Sequence, residues 1–403
     1  MQPDKSRLYR LPWSLNDNPI GWLEVTDICN IHCKGCYRQK LAGHKTMDQL
    51  REEILFLRKW RNCDNISIAG GEPLIHPNIV ETVDFIARQG MKPFILTNGQ
   101  RLDRELLRDL SRAGLVGIGF HVDSLQERPG WTGKNEIELC ALRERLAGIV
   151  ADVGGIPCGF GITVYRQNFD CIPDLLRWTI RHKEVVQGAT FITYRGASLE
   201  GEYRVGGEKV KLDRDTLGYA TDDPVEEIGI TSADVYALIR RHFPEYDAAG
   251  YLGGTQTHTS IKWLVGSLIA TKHEVLGHIG PKALEFAEVG HHLLYGTYMV
   301  YRKDLQLGRK ALLLGLIDPA MREAAKRYLR RPVNLFSPVY GISVGIIQAP
   351  DALPDGRVDM CDSCPDMTYF DGRLVNSCRL DEYRKFGAML TFDSSREPAS
   401  ARN

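Results

Sequence analysis

The sequence predicts an α/β fold: an open, partial barrel of six strand-helix units, with a helical insertion and a C-terminal extension that contains cysteines. Three observations predict it. From residue 22 to residue 195, short apolar runs alternate with amphipathic helical patterns, as in successive βα units around a parallel sheet. The alternation stops after Arg195, well short of the end of the 403-residue chain, which leaves room for more than one structural unit. Six of the ten cysteines fall in two tight groups, 29/33/36 inside the alternating region and 361/364/378 far beyond it.

Taken in order, Leu23 to Ile28 reads as the first strand. Thr46 to Arg61 reads as a helix with Leu50, Ile54, Leu57 and Trp60 on one face, opened by a capping box between Thr46 and Gln49. Ile66 to Ala69 is the second strand. The next helix, Pro77 to Gln89, turns Ile79, Val83 and Ile86 inward and is terminated by Gly90. Strands at Pro93 to Thr97, Val116 to Val122, Gly159 to Val164 and Ala189 to Tyr194 follow. Helices over Arg104 to Ala113, Asn135 to Val150 and Ile172 to His182 separate them.

Six units suit an open partial (β/α)6 barrel, since a closed eight-strand barrel needs more strands and about 250 residues. In such sheets the chemistry collects at the C-terminal ends of the strands. The first cysteine group, Gly70 to Pro73, Thr97-Asn98-Gly99 and His121-Val122-Asp123-Ser124 all fall there, so one mouth gathers them. The expected organisation is an N-terminal segment over 1–21, the barrel over 22–195, a mixed linker and helical substrate-region insertion over 196–330, and an extension with a second metal site over 331–403. One helix is expected at Ser232 to His242, and residues 255–330 read as mostly helical.

Lys plus Arg and Asp plus Glu balance at 51 each, so no net field draws nucleic acid or an anionic membrane to the chain as a whole. Met1 to Asn18 has no apolar core of the secretory kind, and a cytoplasmic location is expected. The apolar runs Trp263 to Ala270 and Ala311 to Ile317 fall short of the roughly 20 residues that span a bilayer. They suit a core or contact with a lipid.

In a reducing compartment ten cysteines point to metal ligation rather than a disulfide framework. Thiolates are soft ligands for iron-sulfur clusters and zinc. A structural zinc site closes with four ligands, whereas three clustered thiolates leave one iron of a 4Fe-4S cluster open. An open iron can chelate the amino and carboxylate groups of S-adenosylmethionine (SAM). The run Cys29-Asn30-Ile31-His32-Cys33-Lys34-Gly35-Cys36-Tyr37, followed by Gly70-Gly71-Glu72-Pro73, resembles the signature of the radical SAM superfamily.

That resemblance implies a SAM-binding 4Fe-4S cluster on Cys29, Cys33 and Cys36, with Gly70, Gly71, Glu72 and Pro73 as the loop that holds the SAM amino group. It further implies a ribose contact from Asp123 or Ser124, with Thr163, Asn98 and His121 as alternatives nearby. Gly35 stands where the family often has an aromatic residue, and Tyr37 is the candidate adenine contact in its place.

Cys361-Asp362-Ser363-Cys364-Pro365, with Cys378 thirteen residues after Cys364, sets three more thiols in a segment of weak secondary-structure signal. A metal there is either a structural staple, zinc included, or an auxiliary iron-sulfur cluster. No fourth ligand is apparent. The segments His121-Val122-Asp123-Ser124 and Met360-Cys361-Asp362-x-Cys364-Pro365-Asp366 make the chain most similar to a radical SAM branch of tetraether lipid synthases and related pterin methylases.

Trp263, Tyr295, Tyr298 and Tyr301 suit either an ordinary core or an aromatic roof over the mouth, which would exclude water from a radical. His291 and His292 are adjacent, so a helix points them apart and they do not form a two-histidine metal face. The expected function is reductive cleavage of SAM to a 5'-deoxyadenosyl radical. That radical abstracts hydrogen from an unactivated carbon of a small-molecule, hydrophobic or lipid-like substrate, leading to carbon-carbon bond formation or methylene transfer, with flavodoxin or ferredoxin as reductant. Alternatives are a radical SAM methyltransferase, a lyase cleaving another sulfur-carbon bond, or a non-catalytic electron-transfer protein. Gly70 to Pro73 argues against the last, since electron transfer needs no amino-group clamp.

Overall fold

The computed structural model describes residues 2–39, 41–199, 202–213, 217–304, 306–353 and 357–392. A short strand β1 (Tyr9–Arg10) precedes β2 (Ile20–Glu24), α1 (Met47–Arg61), β3 (Asn65–Ala69), α2 (Ile79–Arg88), β4 (Lys92–Thr97) and α3 (Arg104–Arg112). Then come β5 (Gly117–His121), α4 (Cys140–Val153), β6 (Cys158–Val164), α5 (Ile172–Arg181) and β7 (Val186–Thr193). Strands β2 to β7 are parallel and neighbour one another in chain order. This is the expected six-unit barrel, with helices on its outer face.

Local chemistry explains the element ends. Thr46 accepts from the Gln49 amide and the Gln49 side chain returns to the Thr46 amide, so the capping box that starts α1 is complete. Its buried face is Leu50, Ile54, Leu57 and Arg61. Trp60, expected on that face, is 47% exposed, because the helical period passes from Leu57 to Arg61 and leaves Trp60 on the flank. The helix expected from Asn135 starts at Cys140. Asn135 instead spends its side chain on the amides of Ile137 and Glu138 in the preceding turns.

Beyond residue 195 the structure differs from the sequence expectation. After α6 (Ser232–His242) come β8 (Gly250–Gly253), β9 (Ile261–Ala270), β10 (Val275–His278), α7 (Pro281–Tyr295), α8 (Pro319–Arg330) and β11 (Tyr340–Gln348). Residues 255–330, read as mostly helical, therefore carry strands as well as α7 and α8. The run Trp263 to Ala270 lies within β9, and β-branched residues within so short an apolar run favour a strand over a helix. Strand β11 pairs in parallel with β7 as a seventh barrel strand, β9 lies antiparallel on β11, and β8 and then β1 complete the path. Thus the sheet runs on across the boundary expected at 195. The backbones of β7 and β11 are so close that a Cβ on Gly188 would lie 2.4 Å from the Ser343 carbonyl oxygen.

The N-terminal end of the barrel is sealed. Helix α7 starts with Leu284 against Gly250 and ends where the Gly296 carbonyl accepts from the Asn62 side chain at 2.7 Å. The chain then sends Tyr301 into the barrel, where its ring stacks on Phe94 at 4.0 Å and 5°. Glycines at 117 and 119 make room, since a Cβ at either position would come within 2.8 or 3.1 Å of the Phe94 ring. The chain leaves at the start of β11, with the Leu307 amide on the Val339 carbonyl. Of the two expectations for Tyr301, an ordinary core or a roof over the mouth, its packing on Phe94 fits the core one, at the end of the barrel opposite the mouth. Among the described residues no helix is long and apolar enough to cross a membrane.

Glu288 of α7 is 3% exposed and accepts from the Met299 amide at 3.2 Å. Burial pushes its carboxyl up to about 7, and that hydrogen bond opposes the rise. The folded state therefore holds a proton that the unfolded chain releases near pH 4.5. The resulting stability is full below that pH and is lost as pH rises through about 7. In denaturant titrations from pH 4.5 to 7.5 Glu288 is expected to contribute a loss on the order of 3 kcal/mol, which Glu288→Gln removes from the total. An unchanged slope in the variant would remove Glu288 as its source.

Candidate active site at the barrel mouth

After Glu24 the chain crosses the C-terminal ends of the strands as a loop carrying Cys29, Cys33 and Cys36. Backbone bonds hold it from beneath: the Gly71 amide donates to the Thr26 carbonyl at 2.7 Å and the Glu72 amide to the Ile28 carbonyl at 2.8 Å. The glycine pair is a steric requirement of this contact. A Cβ on Gly71 would lie 2.1 Å from the Ile28 carbonyl oxygen, and one on Gly70, whose φ is 126°, 2.4 Å from that of Thr26. On the other side His32-Cys33 pairs antiparallel with Gln126-Glu127, and the Gly35 amide donates to the Tyr165 hydroxyl at 3.0 Å.

The three thiols influence one another. Burial pushes the Cys33 thiol well up, and nearby Asp123, Cys36 and Cys29 push it further, against the Arg128 guanidinium. The Asn98 side-chain amide donates to Asn30 Oδ1 at 2.7 Å and reaches Cys29 Sγ at 3.9 Å. Soft thiols on one loop, with an amide donor at one sulfur and a cation beside another, fit an iron-sulfur cluster, because both neighbours favour the thiolate. Among the described residues no three His, Cys, Asp or Glu side chains are drawn up around a single-ion position. A cubane cluster holds its cysteines farther apart than one ion does.

Glu72 is fully buried, and its carboxylate accepts from the Thr97 hydroxyl at 2.5 Å, the Asn98 amide at 2.7 Å and the Leu74 amide at 2.9 Å. Burial raises its carboxyl pKa, and these bonds oppose the rise. The side chain therefore clamps the 70–73 loop to the end of β4, and Pro73 starts the short turn that follows. Asp123 accepts from the Leu125 amide and lies 3.0 Å from His121 Nε2, which is also 2.9 Å from the Thr163 hydroxyl. Glu136, paired with Arg143 at 2.5 Å, accepts from the Ser124 amide at 2.7 Å. The Ser124 hydroxyl is buried and has no hydrogen-bond partner among the described residues. Asp123 and Ser124 thus both stand at the mouth, one spent in a network and one with a free hydroxyl.

Burial raises the pKa of the Tyr37 hydroxyl well above its usual range, with Glu24, Asp366 and Cys36 adding to the rise and Arg38 opposing it. The phenol is thus within electrostatic reach of Cys36 in the first group and Asp366 in the second. Arg38 contacts Asp27 and Asp381, each at 2.7 Å, and Glu24 at 3.6 Å. Lys34 and the Tyr194 hydroxyl both reach Asp223 at 2.8 Å, so residues 217–223 of the middle region flank the mouth.

The second group stands where the partial barrel is open. Cys361 bridges to Gly254 beside β8, while Arg61 at the end of α1 donates to the carbonyls of Cys364, Pro365 and Ile20. A hairpin of β12 (Met367–Phe370) and β13 (Arg373–Asn376) returns the chain to Cys378, and α9 (Leu380–Phe386) follows. The Cys361 thiol beside it holds the Cys364 thiol below its usual range, with Asn376, Arg61 and the Asp366 amide acting in the same direction against burial. The same contact, then burial, pushes Cys361 up; burial first and then Cys364 push Cys378 up. Burial and Cys364 raise the Asp366 carboxyl, which lies within electrostatic reach of all three thiols.

Sequence reasoning misses Arg38, Arg61, Arg128, Asp223 and Asp366, whose roles are made by contacts across the fold. Asp366 alone sits inside a quoted motif.

A model of the radical SAM superfamily matches residues 23–179. The chain is 27% identical over 176 residues to the tungsten-containing aldehyde ferredoxin oxidoreductase cofactor-modifying protein of Pyrococcus furiosus, which covers 40% of this chain and 47% of that protein. The chain thus spans about half the length of this relative. It is 32% identical over 247 residues to a GTP 3',8-cyclase of Geobacter sulfurreducens, covering 57% of this chain and 70% of that one. Among solved structures, Streptococcus suis SuiB bound to S-adenosylmethionine is similar at a TM-score of 0.39 and 15% identity, over 57% of this chain and 47% of that one.

The packing of the 70–73 loop makes a prediction independent of chemistry. Gly71→Ala is expected to cost about 3 kcal/mol in urea unfolding, because a backbone oxygen must move. Gly148→Ala within α4, with nothing within 4 Å of its Cβ and no left-handed φ, serves as the comparison. Equal losses in the two variants would mean that the 70–73 contact is loose.

Proposed function

The chain belongs to the radical SAM superfamily, and from that premise we propose that it cleaves S-adenosylmethionine reductively in the cytoplasm. The resulting radical takes hydrogen from an unactivated carbon of a hydrophobic or lipid-like substrate, leading to carbon-carbon bond formation or methylene transfer. The observation that carries this reading is the pair of backbone bonds from Gly71 and Glu72 to Thr26 and Ile28, which makes the 70–73 loop and the cysteine loop one surface. Cys29, Cys33 and Cys36 would hold three irons of a 4Fe-4S cluster and leave the fourth for the methionine end of SAM. The chemistry such a cluster would supply, once reduced by a flavodoxin or ferredoxin, is the one electron needed to cleave SAM to methionine and the 5'-deoxyadenosyl radical.

The chain's own groups position the reactants. The 70–73 backbone would receive the SAM amino group, and the Glu72 carboxylate holds that backbone to Thr97 and Asn98. The free Ser124 hydroxyl is the ribose contact, held in place by Glu136 through its amide. Asp123 keeps the Ser124 turn closed through the Leu125 amide. Cys361, Cys364 and Cys378 would hold an auxiliary iron-sulfur cluster, with zinc as the alternative. The substrate class is supported by the likeness of the His121–Ser124 and Met360–Asp366 segments to the tetraether lipid synthase branch.

The test is anaerobic reconstitution with iron and sulfide counts, and SAM cleavage under dithionite, in wild type and the two triple Cys→Ala variants. Two clusters are expected, and only the 29/33/36 variant should lose all 5'-deoxyadenosine. Undiminished iron in the 361/364/378 variant would sink the auxiliary cluster. Methylthioadenosine as the product would replace the radical reading with a lyase. Deuterium transfer into 5'-deoxyadenosine from a deuterated glyceryl ether lipid supports the substrate class, and transfer from deuterated GTP alone would displace it.

A further inference from the structure

Below the sealed end of the barrel, α7, the turn at Arg309–Leu316, α8 and the turn at Pro332–Phe336 together present an apolar surface. On α7, Phe286, Val289 and Leu293 recur at three and four residues and point outward, with Leu293 79% exposed. Ile317 lies across a shallow groove from them. In the 309–316 turn, Leu312 and Leu314 pack inward on the Met321 cluster, while Leu313 and Leu316 project, Leu316 at 81% exposure. Arg322 donates to the carbonyls of Gly315 and Leu316, so the flank of α8 beside this turn also carries the exposed Leu329, seven residues on. Phe336 ends the series at 86% exposure. Contiguous apolar exposure on this scale marks an interaction surface.

Charge decides the partner. Residues 306–336 hold seven Lys and Arg but two Asp and Glu, in a chain that is neutral overall. Of those two acids, Asp318 is spent on the amides of Met321 and Ala283, and Glu323 pairs with Lys326 at 2.7 Å. Of the seven bases, Lys326 pairs with Glu323, Arg331 with Glu274 at 3.2 Å and Arg322 bonds backbone carbonyls, while α7 adds Lys282 and Glu285 at the groove. Arg309, Lys310, Arg327 and Arg330 are left without an ion pair among the described residues, so the leucine and phenylalanine tips stand within a basic fringe. We infer that this face docks the protein peripherally on an anionic phospholipid bilayer. The apolar tips enter the headgroup boundary and the basic fringe meets the phosphates. A second copy of the chain fits poorly, since two such faces would bring like charges together. Leu316 and Phe336 stand on short turns and project outward, so they suit insertion rather than a concave protein contact. This inference does not rest on the substrate class: the face lies at the opposite end of the barrel from the mouth, so the docked protein turns its cysteine loop toward water and a soluble reductant.

The test uses the full chain, sedimented with vesicles of equal parts phosphatidylcholine and phosphatidylglycerol, or of phosphatidylcholine alone, with light scattering of the free protein. Binding is expected to be about tenfold stronger to the anionic vesicles and to fall severalfold in about 0.5 M salt. Leu316→Glu/Phe336→Glu should lose about tenfold, and Arg309→Gln/Lys310→Gln severalfold. All four positions are on the surface, and unchanged circular dichroism would show that the variants fold. Absence of a phosphatidylglycerol preference, or binding unmoved by the Leu316/Phe336 variant, would overturn the inference. A dimer that this variant turns into a monomer, without vesicle binding by the wild type, would assign the face to a second copy instead.

Discussion

Arg38 joins the two halves of the chain's chemistry. Its side chain is buried among Glu24 at the end of β2, Asp27 in the cysteine loop and Asp381 in α9, and the Gln39 amide adds a bond to Asp381 at 2.6 Å. Burial alone would lower the guanidinium pKa, but Glu24, Asp381 and Asp27 more than offset this and keep it charged. Arg384 neutralises the surplus acid by reaching Asp27 at 2.8 Å. Buried charges of this kind are costly once any partner leaves. The C-terminal extension cannot swing off the barrel without stranding Arg38 and Asp27, so the two cysteine groups form one rigid unit although they are far apart in the chain.

A partial barrel also leaves its sheet open, and this chain fills the opening with its second cysteine loop. The loop is held from β8 through Gly253 and Gly254 and from α1 through Arg61. Across the mouth, the Arg128 guanidinium donates to the Asn98 and His121 carbonyls and so ties the end of β4 to the end of β5. With Glu72 clamped on Thr97 and Asp123 beside His121, the strand ends are linked by a continuous polar network. Such a network specifies one arrangement because each buried member depends on the next.

The elements legible in the sequence are those whose cause is local. The βα rhythm, the Thr46 capping box and the cysteine spacings each act within a few residues, and each is present. A hairpin turn of the same local kind, Asp371-Gly372 between Tyr369-Phe370 and Arg373-Leu374, was not among the expected elements. Strands β9 and β11 were hidden because they join the sheet outside the βα rhythm, through partners far away in sequence. Arg38, Arg61 and Arg128 were hidden for a different reason. Arginine is ordinarily a surface residue, and nothing local separates a buried tie from a solvated one.

The two ends of the barrel are chemically opposite, and this limits how the site can be reached. At the N-terminal end the Phe94-Tyr301 stack and α7 close the interior, with Gly117 and Gly119 giving up their side-chain volume to the Phe94 ring. Among the described residues this packing fills the N-terminal end, so the mouth that the cysteine loop borders is the side on which the candidate groups meet a reactant. One flank of that mouth is the segment carrying Tyr219, Thr221 and Asp223, which bonds to Lys34 between Cys33 and Cys36 and to the Tyr194 hydroxyl. The middle region, silent as a motif, is thus the part of the chain placed to decide what reaches the thiols.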